Sequence, residues 1–401
     1  MTQYTYKMRL FPTKEQETKL AKHFGCIRFV YNHFLDNRVK FYLSAKEKQL
    51  AKKSLNYYDD AAELTKLKKQ PETEWLSEVN SQSLQHALKH LDGAFNRFYR
   101  KQAKFPRFKK KNLKNSFRIP QFVRLENNKI YFPKFKEGIK MDNHRPVEGE
   151  VEFATITMNA AGQYHACITV EKFIEKLEPA SKVVGIDLGV KELAVCSDGT
   201  RFPNIKPFRS LEQRIRVRQK ELARSKKDSK GRQKSRLKLA RLYNKISNVR
   251  NDHLHKVSHQ IVSENQTIIL EDLNVKGMMA NRKLSKSIWD VSLSELVRQI
   301  SYKAEWYGRK VLFIDRWFPS SKTCHHCGYI NESLTLKDRE WTCPRCERKL
   351  DRDYNASQNI LVQGLNMKNM SVGTTESAEC LGVSSVAKAI DNRLARKPNR
   401  L

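Results

Sequence analysis

Two cysteine pairs, Cys324 with Cys327 and Cys343 with Cys346, stand fifteen residues apart, and the segment Asp351-Arg352-Asp353-Tyr354-Asn355-Ala356 follows directly. A C-x2-C pair sets two thiolates on one face of a tight turn. Two such turns complete a tetrahedral shell of four sulfurs around zinc. Four protein ligands close that shell, so the spacing predicts a structural metal rather than a catalytic one. The chain therefore carries a small metal-held lobe beside an acidic segment.

The charge balance narrows the partners. Lys and Arg number 77 against 43 Asp and Glu, a formal charge of +34 on 401 residues, far beyond what solubility requires. Nucleic acid is the expected polyanion, because phosphates reward distributed Lys and Arg. A membrane surface is excluded by the lack of an uninterrupted apolar span, a lipidation signal or a basic amphipathic anchor. Cys26, Cys167, Cys196 and Cys380 are scattered singly and no signal peptide is visible. That usage predicts a reducing cytoplasm. The length predicts two or three domains.

Along the chain, Tyr4 to Leu10 alternates as a strand, and Thr13 with Gln16 forms a helix-starting capping box. Leu84, Leu88, Leu91, Phe95 and Phe98 recur at helical spacing between Ser83 and Tyr99, which predicts a core-facing stripe. Lys101 to Lys114 is a basic loop studded with aromatics. There Arg107 and Lys109 are candidates for phosphates, and Phe105 or Phe108 for stacking on a base. Lys129 to Phe132, Val151 to Met158 and Tyr164 to Val170 alternate as strands of a small β-barrel or sheet begun by the N-terminal strand.

After a polar linker, Glu175 to Ser181, the texture changes. Val183 to Asp187 and Glu192 to Ser197 are apolar strands, and Arg209 to Val262 is a basic antiparallel helical pair broken near Asp228 to Gly231. Thr267 to Leu270 is a strand ending in Glu271-Asp272. A helix with Leu293, Leu296, Ile300 and Trp306 then leads to a strand over Lys310 to Ile314.

Asp187, Glu271 and Asp353 each end or open an element in a way that can bring three carboxylates to one sheet edge. Two Mg²⁺ ions about 3.5 to 4 Å apart, held by oxygen ligands, suit phosphodiester hydrolysis. Glu271 continues its strand, whereas Asp272 reads as a turn residue on the opposite face. Spacing does not separate Asp351 from Asp353.

The ordered set Gly185-Ile186-Asp187-Leu188-Gly189, Ile269-Leu270-Glu271-Asp272-Leu273-Asn274, the cysteine pairs and Asp351-Arg352-Asp353-Tyr354-Asn355-Ala356 closely resembles the split RuvC domain of TnpB proteins. These are transposon-encoded, RNA-guided DNA endonucleases related to type V CRISPR effectors. Arg28-Phe29-Val30-Tyr31-Asn32, Phe105-Pro106-Arg107-Phe108, Tyr307-Gly308 and Phe318-Pro319-Ser320-Ser321 are also similar to family features. The resemblance implies Asp187, Glu271 and Asp353 as Mg²⁺ ligands and Cys324, Cys327, Cys343 and Cys346 as zinc ligands. One departure is Glu347-Arg348, where relatives often carry a glycine.

It further implies a multidomain α+β and α/β fold. A wedge β-barrel (1–12 and 115–178) carries a helical recognition insert (13–114). An RNase H-like RuvC nuclease (181–315 and 350–365) holds a zinc ribbon (316–349), and 366–401 is a disordered basic tail. The implied partners are a guide RNA from the transposon end and double-stranded target DNA, with the protein reading a short adjacent motif. For that motif the helix start at Ser81, Gln82 and Gln85 is the candidate, since Gln pairs bidentately with adenine. Tyr57 is a candidate by resemblance. Competing readings are an RNA-guided binder that regulates without cutting, a structure-selective RuvC-like nuclease without a guide, and a ribosomal-type zinc-ribbon RNA binder. Monomer and dimer are both open.

Overall fold

The computed structural model describes residues 2–49, 54–111, 115–335 and 337–372, and divides into two compact units, one up to Phe173 and one from Ile174. The first unit opens with β1 (Thr2–Phe11). Helix α1 (Lys14–Glu47) follows through the expected capping box: Gln16 N–H donates to Thr13 Oγ1 at 3.3 Å, and Thr13 N–H donates to Gln16 Oε1 at 3.1 Å. Then come α2 (Tyr57–Leu67), a 3₁₀ turn at Pro71–Glu78 and α3 (Ser81–Tyr99). The remaining strands are β2 (Asn115–Ile119), β3 (Arg124–Glu126), β4 (Lys129–Phe132), β5 (Phe135–Met141), β6 (Glu150–Met158) and β7 (Tyr164–Lys172).

These seven strands form one antiparallel sheet in the order β2-β6-β7-β1-β5-β4-β3. Strand β1 pairs with β7 from Thr2↔Lys172 to Leu10↔Tyr164, but with β5 only at Leu10↔Met141 and Phe11↔Lys140. Its last two residues thus hand the ladder to a second group of strands. The strands expected as a small barrel or sheet form one seven-stranded sheet with β2 and β3 at its ends among the described residues. The apolar stripe of α3 (Leu84, Leu88, Leu91, Phe95) and that of α1 (Leu20, Phe24, Ile27, Phe34) share one core with Met8, Ile119, Ile139 and Ile156. Phe98 is only half-buried. Arg38 of α1 ties the helices together, bonding Asp60 of α2 at 2.7 Å and Asp92 of α3 at 3.0 Å. Removing that buried cation would strand Asp60 without a counter-charge, a loss of about 3–5 kcal/mol.

The second unit begins with β8 (Val183–Leu188), β9 (Glu192–Cys196) and β10 (Arg201–Pro203). Helices α4 (Pro207–Arg224) and α5 (Lys230–Glu264) form the expected basic pair, with the break at 225–229 and Ser229 capping α5. Strand β11 (Thr267–Glu271), the short helices α6 (Val275–Met278) and α7 (Ser285–Val291), and α8 (Leu293–Tyr307) lead to β12 (Lys310–Ile314). A small hairpin, β13 (Glu340–Thr342) with β14 (Lys349–Asp351), runs straight into α9 (Arg352–Val372). Helix α9 continues past the boundary at 365 where a tail was expected. Residues 373–401, the rest of that expected tail, lie outside the described residues.

The sheet order is β10-β9-β8-β11-β12, with β8, β11 and β12 parallel and β9 and β10 antiparallel. Both faces are covered, which is why β8 and β11 read as nearly continuous apolar runs. Val184, Ile186, Ile268 and Leu270 face α5 and α8, packing on Leu254, Val257, Ile261, Leu296 and Ile300. The opposite face carries Ile269 and packs on Ile360 of α9. None of the seven described cysteines is in a disulfide. No helix among the described residues is long and apolar enough to cross a membrane.

Candidate active site

Parallel pairing sets the first two acids side by side. Leu270 is in register with Ile186, so Glu271, the next residue of β11, comes level with Asp187 of β8. Because side chains alternate along a strand, both acids share the face of Gly185 and Ile269, away from the larger core. Helix α9 lies directly on that face. A Cβ at Gly185 would sit 2.4 Å from the Ser357 carbonyl and 2.5 Å from the Leu361 nitrogen, and one at Gly364 would meet Ile269 at 2.5 Å. Two glycines, one on each partner, therefore let helix and sheet backbones approach closely. Asp353 stands one turn before Ser357, in the first turn of α9.

The charges act on one another. Desolvation, then the negative charges of Glu271 and Asp353, push the Asp187 carboxyl up to about 8, against relief from Arg352 and Arg339. Desolvation also raises Glu271, although the Ser320 hydroxyl donates to its Oε1 and opposes the rise. Arg339, just before β13, approaches Asp353 at 3.4 Å. The neighbouring acids are spoken for: Asp272 pairs with Arg316, while Asp351 pairs with Arg201 at 3.2 Å and caps α9 by accepting Tyr354 N–H at 2.8 Å. Asp351 and Asp353 thus have different partners, Arg201 for the one and Arg339 for the other. The three carboxylates are electrostatic neighbours without closing into a tight ligand cluster. Among the described residues only the four cysteines do that.

Those sulfurs lie within 4.8 Å of one another, with Cys324 and Cys346 Sγ 3.7 Å apart and Cys327 and Cys343 Sγ 3.5 Å apart. Zinc–sulfur bonds of about 2.3 Å at tetrahedral angles separate sulfurs by about 3.8 Å, whereas a disulfide needs about 2.05 Å. The four residues therefore fit a tetrahedral metal. Burial alone would raise the Cys343 thiol, but N–H groups of Cys346 and Arg345 and the neighbouring sulfurs bring it down to about 7. The two turns repeat each other: Gly328 N–H donates to Cys324 O at 2.9 Å and Glu347 N–H to Cys343 O at 2.8 Å. Gly328 has φ +74° and Glu347 φ +55°, so the glutamate holds the left-handed conformation for which glycine is the default. Asn355 of α9 ties this lobe to the acid site, accepting His325 N–H at 3.0 Å and donating to Thr323 O at 2.7 Å.

Comparison with known proteins matches a family model described as "Probable transposase" (OrfB_IS605) over residues 164–282 and a "Cas12f1-like, TNB domain" over 294–360. A "Helix-turn-helix domain" model matches 1–47, a stretch that is here one strand and one long helix. A Streptomyces pristinaespiralis protein named "Putative RNA-guided DNA endonuclease" is 38% identical over 90% of this chain and 89% of its own length. The chain belongs to the TnpB family. A second relative of the same name, InsQ of Escherichia coli (strain K12), is 32% identical over 90% of this chain and 92% of its own. The fold is α+β and similar to that of Cas12f1, solved as a Cas12f1-sgRNA-target DNA complex. That likeness has a TM-score of 0.51 at 16% identity and covers 86% of this chain and 82% of that one.

The nucleic-acid candidates of this TnpB chain lie in the first unit. Tyr57 opens α2, packs on the core and receives Lys89 over its ring at 5.5 Å. At the start of α3, Ser81 accepts Lys68 at 2.7 Å, Gln82 donates to Gln121 at 2.8 Å, and Gln85 is exposed. The Gln82 Oε1 atom is buried without a partner among the described residues. Phe105 stays 46% exposed while its ring meets Phe95 and Phe98 edge-on, and Arg107 is exposed. Lys109 differs. Its backbone exchanges two hydrogen bonds with Asn32, its ammonium lies 3.9 Å from the Tyr31 ring centre, and desolvation lowers it to about 8. It is held against α1 rather than offered freely.

Four residues near these sites escaped the sequence reading. Gln121 accepts from Gln82, Arg118 accepts the Ser83 hydroxyl at its carbonyl at 2.7 Å and stacks its guanidinium on Phe153 at 3.3 Å, while Ser320 and Arg339 contact the acids. Ser320 lay in a stretch singled out by resemblance. Nothing local marked Arg339.

Proposed function

We propose that this TnpB-family chain is an RNA-guided DNA endonuclease in which Asp187, Glu271 and Asp353 hold two Mg²⁺ ions and the four cysteines hold zinc. The register that brings Glu271 level with Asp187, under the first turn of the helix that carries Asp353, is the observation that supports this reading most. An Asp187 carboxyl raised to about 8 by burial and two neighbouring acids marks a surplus of negative charge that divalent cations would relieve. Bound there, Mg²⁺ supplies an activated water and stabilises the departing oxygen of a phosphodiester.

The chain's own residues do the rest. Ser320 fixes the Glu271 carboxylate by hydrogen bonding. Arg316 neutralises Asp272 so that it does not repel an approaching phosphate. The basic helices α4 and α5 offer backbone contacts to nucleic acid. Sequence choice belongs to guide–target pairing, with the α3 start at Ser81, Gln82 and Gln85 reading the adjacent motif.

The test is cleavage of a plasmid carrying a guide-matched target and a randomised flank, by protein coexpressed with its transposon-end RNA. Cutting is expected with Mg²⁺, not with EDTA, and Asp187→Ala should slow it by about a thousandfold or more. Full cleavage by that variant would remove the acid assignment, and guided binding without cutting would leave a regulator.

A further inference from the structure

Trp317 is 83% exposed, the most exposed large apolar side chain among the described residues. Folding gains almost nothing from an indole left in water, yet the backbone around it is firmly held. The Trp317 N–H donates to Asp315 Oδ1 at 2.7 Å, and Phe318 N–H donates to Asp315 O at 3.2 Å. On one side Arg316 pairs with Asp272. On the other, Phe318 packs into the small apolar layer of Ile269, Ile314 and Ile360. The ring is thus presented by a rigid turn rather than by a loose loop.

Both ends of that turn are tied to Glu271. Ile314, three residues before Trp317, is the register partner of Glu271 on the neighbouring strand. Ser320, three residues after it, donates its hydroxyl to the Glu271 carboxylate, and its carbonyl accepts Asn359 of α9 at 2.7 Å. Three residues span at most about 11 Å, so the Trp317 backbone stands within that distance of both anchors. A nucleobase near the bond to be cut is therefore within reach of the ring.

We propose that Trp317 is a stacking platform for an unpaired nucleobase of the DNA strand entering the acid site, an inference that rests on the nuclease reading above. An aromatic face takes any base and contributes binding without sequence choice, as guide-directed cleavage requires. The flanking arginine, already neutralised by Asp272, leaves the indole as the principal contact of this turn.

The experiment uses the full chain with its transposon-end RNA as wild type, Trp317→Phe and Trp317→Ala. An exposed position leaves all three folded. Without divalent metal, guide-matched target DNA should quench a part of the indole emission in the wild type that Trp317→Phe lacks; equal quenching in both overturns the proposal. With Mg²⁺, Trp317→Ala should form the guided complex normally but cut about tenfold more slowly, while Trp317→Phe stays within about threefold. Abasic nucleotides moved along the strand should slow the wild type at one position and leave Trp317→Ala indifferent there. Wild-type rate and wild-type abasic sensitivity in Trp317→Ala would refute the stack. Quenching lost in Trp317→Phe with no cutting by any of the proteins would retain the platform and discard the cleavage reading.

Discussion

Particular ionisable groups in the two units of this protein are shifted in opposite directions. In the antiparallel unit, histidines are kept neutral: desolvation, then the cations Arg118 for His86 and Lys7 for His165, lowers each ring to about 4. In the mixed sheet a carboxyl is kept protonated, Asp187 being raised to about 8 by desolvation and two acids. The first arrangement leaves both rings half-buried beside cations, one on α3 and one on β7. The second stores a charge imbalance at the ends of two parallel strands, where a cation can enter.

Removing zinc should separate the units most. Chelation, or Cys343→Ser, should unfold the ribbon, because the binding energy of a four-thiolate site is its folding energy, about 10–16 kcal/mol in isolated zinc modules. Hydrogen exchange should then rise across 323–351 and at the start of α9, where Asn355 grips the ribbon. The antiparallel sheet should keep its protection. Equal protection in the ribbon with and without metal would break the comparison.

Gly185→Val should act next. Its side chain would collide with the α9 backbone at Ser357 and Leu361, costing about 3 kcal/mol or more and lifting Asp353 away from Asp187. Calorimetry should show the second unit melting earlier while the first is unchanged. A single shifted transition would mean that the two units unfold together.

Acidity should then move the units in opposite directions. His86 and His165 titrate near 4 when folded and near 6.5 when unfolded, so the unfolded chain takes up protons first and the first unit loses stability as pH falls through that window. Metal-free Asp187 holds a proton up to about 8 when folded and to about 3.8 when unfolded, so the second unit loses stability as pH rises between those values. Added Mg²⁺ should abolish the second trend and leave the first. Denaturant melts at several pH values, with and without metal, read both.

The smallest effect belongs to Glu347→Gly. Relieving a left-handed glutamate at φ +55° should stabilise the ribbon by about 1 kcal/mol. An unchanged zinc affinity in a competition titration would show that the strain is not felt by the metal turn.

Much of the frame was legible in the residues themselves. The capping box at Thr13, the stripe of α3, the helical pair broken before α5 and the strand Lys310–Ile314 all stand where local pattern put them. The three-residue β10 carried too little pattern to be seen. Which strands stand at the ends of the seven-stranded sheet, β2 and β3, is a matter of pairing order that alternation does not encode.

The sequence by itself determined the four-cysteine cluster, the polyanion partner implied by +34 and the three acids as residue types, because spacing, charge and resemblance are properties of the chain. The pairing of Asp351 with Arg201 and its cap on α9, the hydroxyl on Glu271 and the exposed ring of Trp317 were decided only by tertiary structure. Each depends on partners brought together from distant segments: Arg201 and the cap for Asp351, Ser320 for Glu271, and the Asp272–Arg316 anchor for Trp317. Folding assigns such roles by which neighbour arrives, and a neighbour dozens of residues away leaves no local trace.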